Sequence, residues 1–277
     1  MWLFNLTSHQ WSLKARKSLL NPPALSKHSL TLAKDSIYLF GGSFSNGTFS
    51  DLMFKLSAPL YENWTLIKPL KSTGNLHVTG HSVVYYEEIN SLILFGGIRR
   101  DVARFSQLSS LTFLFNLEKQ TWSQMKLPRR DKLHNPKIDY IPPERAFHSA
   151  HIMGNYMVIF GGFSHKHNEV ESCYDENLYF FHLGCQSWVS RRILEHSPQG
   201  RSYPKKQGFF GHASSLRGNN ILVISGKDRD SYKETRYENR ILQKKVPICV
   251  TKGCMNRLFS AKWATNGFYD VSLNHCL

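Results

Sequence analysis

Short apolar runs that end in turn residues dominate this chain. Three of them, Ile37–Phe40, Leu92–Phe95 and Val158–Phe160, are each followed by a pair of glycines, and a fourth, Leu222–Ile224, is followed by Ser-Gly. Apolar runs of this length bounded by glycine are typical of buried strands rather than of helices. The pattern therefore predicts an all-β chain.

The glycine pairs mark an internal repeat. They are Gly41 with Gly42, Gly96 with Gly97, and Gly161 with Gly162, so that successive pairs are 55 and 65 residues apart. A histidine followed by a small residue precedes each glycine by 13 to 15 positions, and a tryptophan follows each pair by 22 to 26 positions. The histidines are His28, His81, His148 and His212, and the tryptophans are Trp64, Trp122 and Trp188. Three features at nearly fixed spacing indicate one repeated structural unit.

Each unit predicts four short strands separated by turns, which is the sequence pattern of a β-propeller blade. Strand a follows the histidine, strand b ends at the glycines, strand c is a mixed aromatic and aliphatic run, and strand d carries the tryptophan. The c runs are Asp51–Leu56, Leu111–Leu117 and Asn177–Leu183. Glycine at a strand end permits close approach of a neighbouring backbone. We therefore expect the tryptophan of one sheet to fill the space beside the glycine pair of its neighbour.

The repeats resemble kelch repeats, on the evidence of the glycine pair, the aromatic strand c and the tryptophan. The segments Cys173–Trp188 and Gly208–Ala213 are similar to the attractin / Multiple epidermal growth factor-like domains protein 8 group within that superfamily. The kelch resemblance covers residues 1–228, and the narrower one rests mainly on 173–226. It implies a non-enzymatic extracellular propeller in a large membrane-anchored or secreted protein with EGF-like domains, used for binding and signalling control.

The repeat pattern begins and ends within a blade. The predicted units are a half blade at 1–20, blades at about 24–70, 77–128 and 145–195, a half blade at 207–228, and a divergent, poorly ordered tail at 229–277. One interpretation is a fragment, or an incomplete ring, with open sheet edges. The alternative is a four-bladed ring in which residues 2–13 complete the blade begun by 208–226, since four is the lower end of the range of blade numbers.

Composition adds little to this picture. The 35 Lys and Arg residues against 20 Asp and Glu give a net charge of +15, but the basic residues are scattered through predicted loops. Scattered loop charge is usually solvated, so we expect no specific nucleic-acid binding.

The apolar runs are far shorter than the ~20 residues of a membrane helix, and the first ten residues do not form a convincing signal peptide. Membrane association would come only through missing parts of a parent protein.

No catalytic motif is present, since the sequence lacks both a Gly-x-Ser-x-Gly elbow and a phosphate-binding loop. The four repeated histidines are expected to pack or to form hydrogen bonds within strand a. His165 and His167 lack an identifiable third metal ligand. We therefore predict no enzyme activity, no metal and no cofactor.

Two cysteines flank one strand c. Cys173 and Cys185 lie at opposite ends of it, so about 20 Å of strand separates them, and a disulfide needs Cα atoms within about 7 Å. They should not pair with each other. Partners in blades absent from this chain, or in the tail, stay open for either cysteine.

Three glycosylation sequons begin at Asn5, Asn46 and Asn63. Asn46 is the best candidate because it lies in a b–c loop, whereas Asn63 adjoins a tryptophan and is expected to be more buried. With the resemblance, the sequons favour an extracellular or membrane-anchored parent protein over a cytoplasmic one.

The predicted function is binding of other proteins through the loops 43–50, 98–110 and 163–176, because loops on a rigid scaffold carry recognition. The alternative is an intracellular kelch adaptor for a ubiquitin ligase or for actin. A copper-radical oxidase on the same fold would need converging Tyr, His and Cys ligands, and none can be assembled from these spacings.

Overall fold

The computed structural model of this chain describes residues 2–13, 20–58, 63–70, 76–100, 107–126, 140–164, 177–189, 210–217, 220–224 and 241–245. Apart from one 3₁₀ turn at Glu87–Ile89, the regular elements of these residues are strands. They are β1 (Trp2–Asn5), β2 (Gln10–Leu13), β3 (Ser29–Ala33), β4 (Ser36–Phe40), β5 (Met53–Ser57), β6 (Trp64–Ile67), β7 (Val78–Thr79), β8 (Ser82–Tyr86), β9 (Ser91–Phe95), β10 (Ile98–Arg99), β11 (Thr112–Asn116), β12 (Thr121–Gln124), β13 (Ser149–Met153), β14 (Tyr156–Phe160), β15 (Leu178–His182), β16 (Ser187–Val189), β17 (Ala213–Arg217), β18 (Asn220–Ile224) and β19 (Ile241–Lys245).

Three complete four-stranded antiparallel sheets form the centre of the fold. Blade 1 is β3-β4-β5-β6, blade 2 is β8-β9-β11-β12 and blade 3 is β13-β14-β15-β16. Their inner strands β3, β8 and β13 lie side by side, followed by β17 of a fourth sheet. This is the predicted kelch-type propeller arrangement, and the fold class is confirmed.

The b strands of blades 2 and 3 are buried on both faces, which explains why they are almost entirely apolar. Every residue of β9 and of β14 is buried. Blades 1 and 2 share a core that includes Tyr38, Phe40, Leu92 and Phe113. The opposite face of blade 2 forms a second core with blade 3, and the opposite face of blade 3 packs on the fourth sheet. A strand buried on both faces need not alternate between apolar and polar residues.

The two ends of the repeat array do not join. Strands β1 and β2 form a separate hairpin, the leading hairpin, in which Phe4 pairs with Trp11 as Phe115 pairs with Trp122 in blade 2. The free edge of β18 pairs instead with β19. The predicted four-bladed ring is therefore wrong, and the ring formed by the described blades is not closed.

The fourth sheet extends further than expected. We assigned residues 229–277 to a divergent tail, yet Ile241–Lys245 lies antiparallel to β18 in the place of a strand c. The sequence pattern did not reveal this strand because it is polar at three of its five positions. The domain boundaries themselves stay predictions.

Two further properties of the described residues concern the parent protein. No helix among them is long and apolar enough to cross a membrane. Cys185 is disulfide-bonded, and the other four cysteines all lie outside the residues that the structure describes. The prediction that Cys173 and Cys185 do not pair with each other therefore stays a prediction.

Candidate binding surface

The strand registers bring the predicted loops to one end of the blades. In blade 1 the first residue of β3, Ser29, lies beside Phe40 at the end of β4, which in turn lies beside Met53 at the start of β5. We call this the glycine end, because the glycine pairs follow Phe40 and its counterparts. The a–b and c–d turns lie at the opposite end, which we call the turn end. The b–c loops predicted to bind partners therefore share the glycine end with the segments that precede strand a.

The repeated histidines connect successive blades at the glycine end. Each ring bonds the serine that follows the histidine of the preceding blade. His81 Nε2 lies 3.1 Å from Ser29 Oγ, His148 Nε2 lies 2.8 Å from Ser82 Oγ, and His212 Nε2 lies 2.9 Å from Ser149 Oγ. We call this series the histidine ladder. It accounts for the pairing of histidine with serine in the first three repeats.

The polar groups around His81 indicate which of its ring nitrogens carries the proton. Ser29 Oγ donates to Phe40 O at 3.4 Å, so that its lone pairs face His81. We therefore assign the proton to His81 Nε2, which leaves Nδ1 as a buried acceptor without a partner. Burial, with a smaller contribution from His28, lowers the pKa of His81 to about 3. Burial and then the Arg145 charge lower the pKa of His148 well below its ordinary value.

A second ladder, made of backbone groups, runs beside the first. The residue before each histidine is Lys27, Gly80, Phe147 or Gly211, and all four have φ between 57° and 63°. Gly80 N–H donates to Lys27 O at 3.0 Å, Phe147 N–H to Gly80 O at 2.8 Å, and Gly211 N–H to Phe147 O at 2.9 Å. Positive φ is unusual for a bulky residue such as Phe147. The inter-blade hydrogen bonds compensate for that strain and fix the start of each strand a.

Space at the glycine pairs is occupied by these ladders and not by tryptophan. A Cβ on Gly41 would lie 2.7 Å from both His81 Cε1 and Val78 O, and a Cβ on Gly96 would lie 2.8 Å from Arg145 O. Trp122 packs instead on Phe40, at 4.9 Å between ring centroids, and Trp188 on Phe95 at 5.3 Å. The expected tryptophan–glycine contact is therefore wrong. The tryptophan covers the phenylalanine before the pair, because the histidine already fills the nearer space.

The remaining members of the predicted structural set follow the same plan. The second glycine of each pair faces the histidine segment of its own blade. A Cβ on Gly42, Gly97 or Gly162 would lie 2.8 to 2.9 Å from the Cβ of His28, His81 or His148, respectively. Gly161 has φ of 70°. Trp64 differs, since it is half-buried and contacts Phe54 edge-on at 6.5 Å.

The b–c loop of blade 1 is joined to blade 2. Arg100 Nη2 donates to Gly47 O at 3.4 Å, and its guanidinium lies 5.5 Å from the centroid of Phe49. His77 Nδ1 lies 3.0 Å from Phe49 O, and its Nε2 lies 3.9 Å from Asp51 Oδ2. Residues 43–50 and 98–100 therefore form one continuous surface. Of the predicted loops, residues 101–106 and 165–176, including His165 and His167, lie outside the described residues.

Charge differs between the two ends of the described blades. Four exposed cations lie at the glycine end, namely Lys27, Lys68, Arg100 and Lys126, beside the half-buried Asp51 and Glu144. The turn end carries four exposed carboxylates and two lysines, namely Asp35, Glu87, Glu88, Glu118, Lys34 and Lys119. Among the residues that the structure describes, the glycine end is therefore the more basic of the two ends.

All three sequon asparagines are exposed. Asn46 Oδ1 accepts from Thr48 N–H at 3.0 Å and from Thr48 Oγ1 at 2.7 Å, which places the two sequon side chains together on the loop. Asn63 is exposed although Trp64 beside it is half-buried, contrary to the burial that we expected for it. Asn5 Oδ1 accepts from the backbone of Thr7 in the turn of the leading hairpin.

Arg145 is a structural residue that the sequence did not single out. It is fully buried, donates to Gly161 O at 2.8 Å, and lies 4.5 Å from the ring centroid of Tyr179. Its counterparts three residues before the other histidines, Leu25 and Val78, are apolar, so that no repeat signal marks it. The left-handed position before the histidine was detectable, since two of its four residues are glycine. Among the described residues, no group of three or more His, Cys, Asp or Glu side chains could hold a metal ion.

Comparison with known proteins gives consistent results. The Attractin/LZTR1 beta-propeller family model matches residues 1–233. Multiple epidermal growth factor-like domains protein 8 of Mus musculus is 35% identical over 234 residues, which covers 82% of this chain and 8% of that protein. Host cell factor homolog hcf-1 of Caenorhabditis elegans is 24% identical over 82% of this chain and 30% of its own length. Kelch domain-containing protein 3 of Rattus norvegicus is 20% identical over 83% of this chain and 55% of its own length.

Proposed function

Because this chain belongs to the Attractin/LZTR1 β-propeller family, we propose that it is the protein-binding part of an attractin-like extracellular signalling or adhesion protein. At the coarser level it is a β-propeller protein-interaction module related to Multiple epidermal growth factor-like domains protein 8 and to kelch proteins. It spans 8% of the length of the former. The proposed recognition surface is the glycine end, and the proposed module carries out no chemistry of its own.

The observation that carries this proposal is the surface formed by residues 43–50 and 98–100. Arg100 contacts Gly47 and Phe49 of the neighbouring blade, so the two loops are held in one arrangement before a partner binds. Preorganised loops lose less entropy on binding than free ones. The surface also offers an aromatic ring beside an exposed cation, and both are enriched at protein interfaces. A partner with an acidic surface is favoured.

Binding to cell-surface proteins tests this assignment. The purified chain is labelled and applied to living cells, and bound fluorescence is measured by flow cytometry. Arg100→Glu should reduce binding several-fold, because it reverses a charge and breaks the contact between the loops. Lys119→Glu makes the same charge change on an exposed residue at the turn end and should leave binding unchanged. Equal effects of the two substitutions would contradict recognition through the glycine end.

The rival function is that of an intracellular kelch adaptor for a ubiquitin ligase or for actin. Glycosylation of the endogenous protein distinguishes the two. We expect peptide N-glycosidase to increase its gel mobility, and an Asn46→Gln allele to remove most of that shift, since Asn46 is exposed on a loop. A cytosolic product without glycan would favour the adaptor.

A further inference from the structure

One glycosylation sequon lies on the proposed recognition surface. Asn46 is at the tip of the b–c loop of blade 1, which follows the glycine pair of that blade. Asn63 directly precedes β6, which begins at the turn end because Trp64 pairs with Leu56. Asn5 belongs to the separate leading hairpin. Of the two sequons in blade 1, only that of Asn46 is therefore at the glycine end.

Backbone hydrogen bonds fix the shape of this b–c loop. Phe44 N–H donates to Thr48 O at 2.9 Å, and Gly47 N–H donates to Phe44 O at 3.0 Å. The loop is therefore a short hairpin with the exposed residues 45–47 at its tip. A group that is attached to the tip has a defined position relative to the neighbouring loop.

The side chain of Asn46 is oriented for attachment of a glycan. Its Oδ1 accepts both hydrogen bonds from Thr48, so the amide nitrogen Nδ2 is the atom without a partner among the described residues. A Cβ built on the adjacent Gly47 would meet no atom within 4 Å beyond its sequence neighbours. In N-glycosylation this Nδ2 forms a bond to the anomeric carbon of a sugar, the amide loses a proton, and the lipid pyrophosphate that carried the sugar leaves. Open space at the tip accommodates the bulky product.

Asn46 is too close to Arg100 for its glycan to lie outside an interface there. Arg100 Nη2 donates to Gly47 O at 3.4 Å, so that Asn46 Cα lies within about 10 Å of this nitrogen. A standard interface covers about 800 Å² of each partner, which corresponds to a disc about 16 Å in radius. An interface of this size centred on Arg100 and Phe49 therefore includes the glycosylation site.

We propose that N-glycosylation of Asn46 regulates recognition at the glycine end: the glycan covers the surface formed by residues 43–50 and 98–100, and chains without it bind the partner. This proposal rests on the proposed function, since it concerns the same surface. A glycan is bulky, and a partner cannot contact Arg100 and Phe49 while sugar occupies the space above the adjacent tip. The fraction of chains that carry this glycan thus sets the fraction that can bind.

Chains with a single sequon test the proposal. In the first chain Asn5→Gln and Asn63→Gln leave Asn46 in the only Asn-x-Ser/Thr sequon, and in the second Asn5→Gln and Asn46→Gln leave Asn63. Each full chain is expressed with a secretion signal in cultured cells, and concanavalin A separates molecules with the glycan from those without it. The separated forms are labelled, and their binding to living cells is measured by flow cytometry. Both forms of one chain have the same sequence, so a folding defect of the variant does not produce a difference between them.

The two chains should behave differently. In the first chain the glycosylated form should bind at least about fivefold less than the unglycosylated form, which is the effect of losing one arginine contact at an interface. In the second chain the two forms should bind equally, because Asn63 lies at the turn end. Equal binding by both forms of the first chain would overturn the proposal. So would an equal loss in the second chain, since that would be a general effect of any glycan.

Arg100→Glu in the unglycosylated form of the first chain separates this proposal from the proposed function. It should weaken binding several-fold. If it does so while the glycan at Asn46 has no effect, the loop surface recognises the partner and only the regulation is wrong. If neither change has an effect, the proposed function is wrong, and this proposal with it. An effect of the glycan without an effect of Arg100→Glu would contradict both, because the arginine would then not be the contact that the sugar blocks.

Discussion

Acid sensitivity of the histidine ladder is the prediction that the structure supports most directly. His81 is neutral in the folded chain because burial lowers its pKa from 6.5 to about 3. Between these two values the unfolded chain binds more protons than the folded one. The free energy of unfolding therefore has its full contribution from His81 above pH 6.5 and loses it as the pH falls toward 3.

The expected magnitude follows from the shift. Each pH unit below 6.5 costs about 1.4 kcal/mol per buried neutral histidine, so that His81 accounts for about 2 kcal/mol between pH 7.5 and 5. His148, His151 and His182 have pKa values lowered mainly by burial, and they add losses of the same sign. The chain should thus be markedly less stable at pH 5 than at pH 7.5.

The assay is urea unfolding at pH 7.5, 6 and 5, followed by tryptophan fluorescence. His81→Gln keeps a donor for Ser29 but cannot titrate, so the wild-type loss between pH 7.5 and 5 should shrink by about 2 kcal/mol in this variant. His9→Gln, in the exposed turn of the leading hairpin, controls for removal of a histidine as such. The reasoning is refuted if His81→Gln retains the full wild-type dependence on pH.

Three other substitutions test the packing between blades by urea unfolding at pH 7.5. Trp122→Ala should destabilise the chain by about 3–5 kcal/mol because it removes the contacts with Phe40 and Phe115. The control Trp11→Ala, at a side chain that is 66% exposed, should cost less than about 0.5 kcal/mol. Similar losses in the two variants would disprove the role of Trp122 in packing between blades. Gly96→Ala should cost more than about 2 kcal/mol, since the added Cβ meets the carbonyl of Arg145 at 2.8 Å and φ is +68°; a neutral effect would mean that the loop shifts easily. Arg145→Ala should cost about 3 kcal/mol or more by leaving Gly161 O and the Tyr179 ring without their cation, and a loss below 1 kcal/mol would show that water replaces the guanidinium.

The sequence alone determined the repeat, the strand order within each blade and the family. Those features depend on local chemistry: apolar runs of strand length, glycine where φ is positive, and tryptophan at a fixed distance. The c–d hairpin at the start of the chain was predictable for the same reason, since Phe4, Asn5 and Trp11 reproduce the pattern of blade 2. Each such signal lies within a single repeat.

Tertiary structure decided what lies between repeats. Only the packed blades show that His81, and not Trp122, fills the space beside Gly41. Both side chains belong to the neighbouring blade, and the spacing of residues along the chain does not determine which of them lies nearer to the glycine. The same holds for β19, whose polar sequence forms a strand only because β18 offers an unpaired edge. Exposure of Leu30 and Leu32 is likewise a property of the assembled array: these residues look like any core leucines in the sequence, and what distinguishes them is the absence of a sheet against them among the described residues.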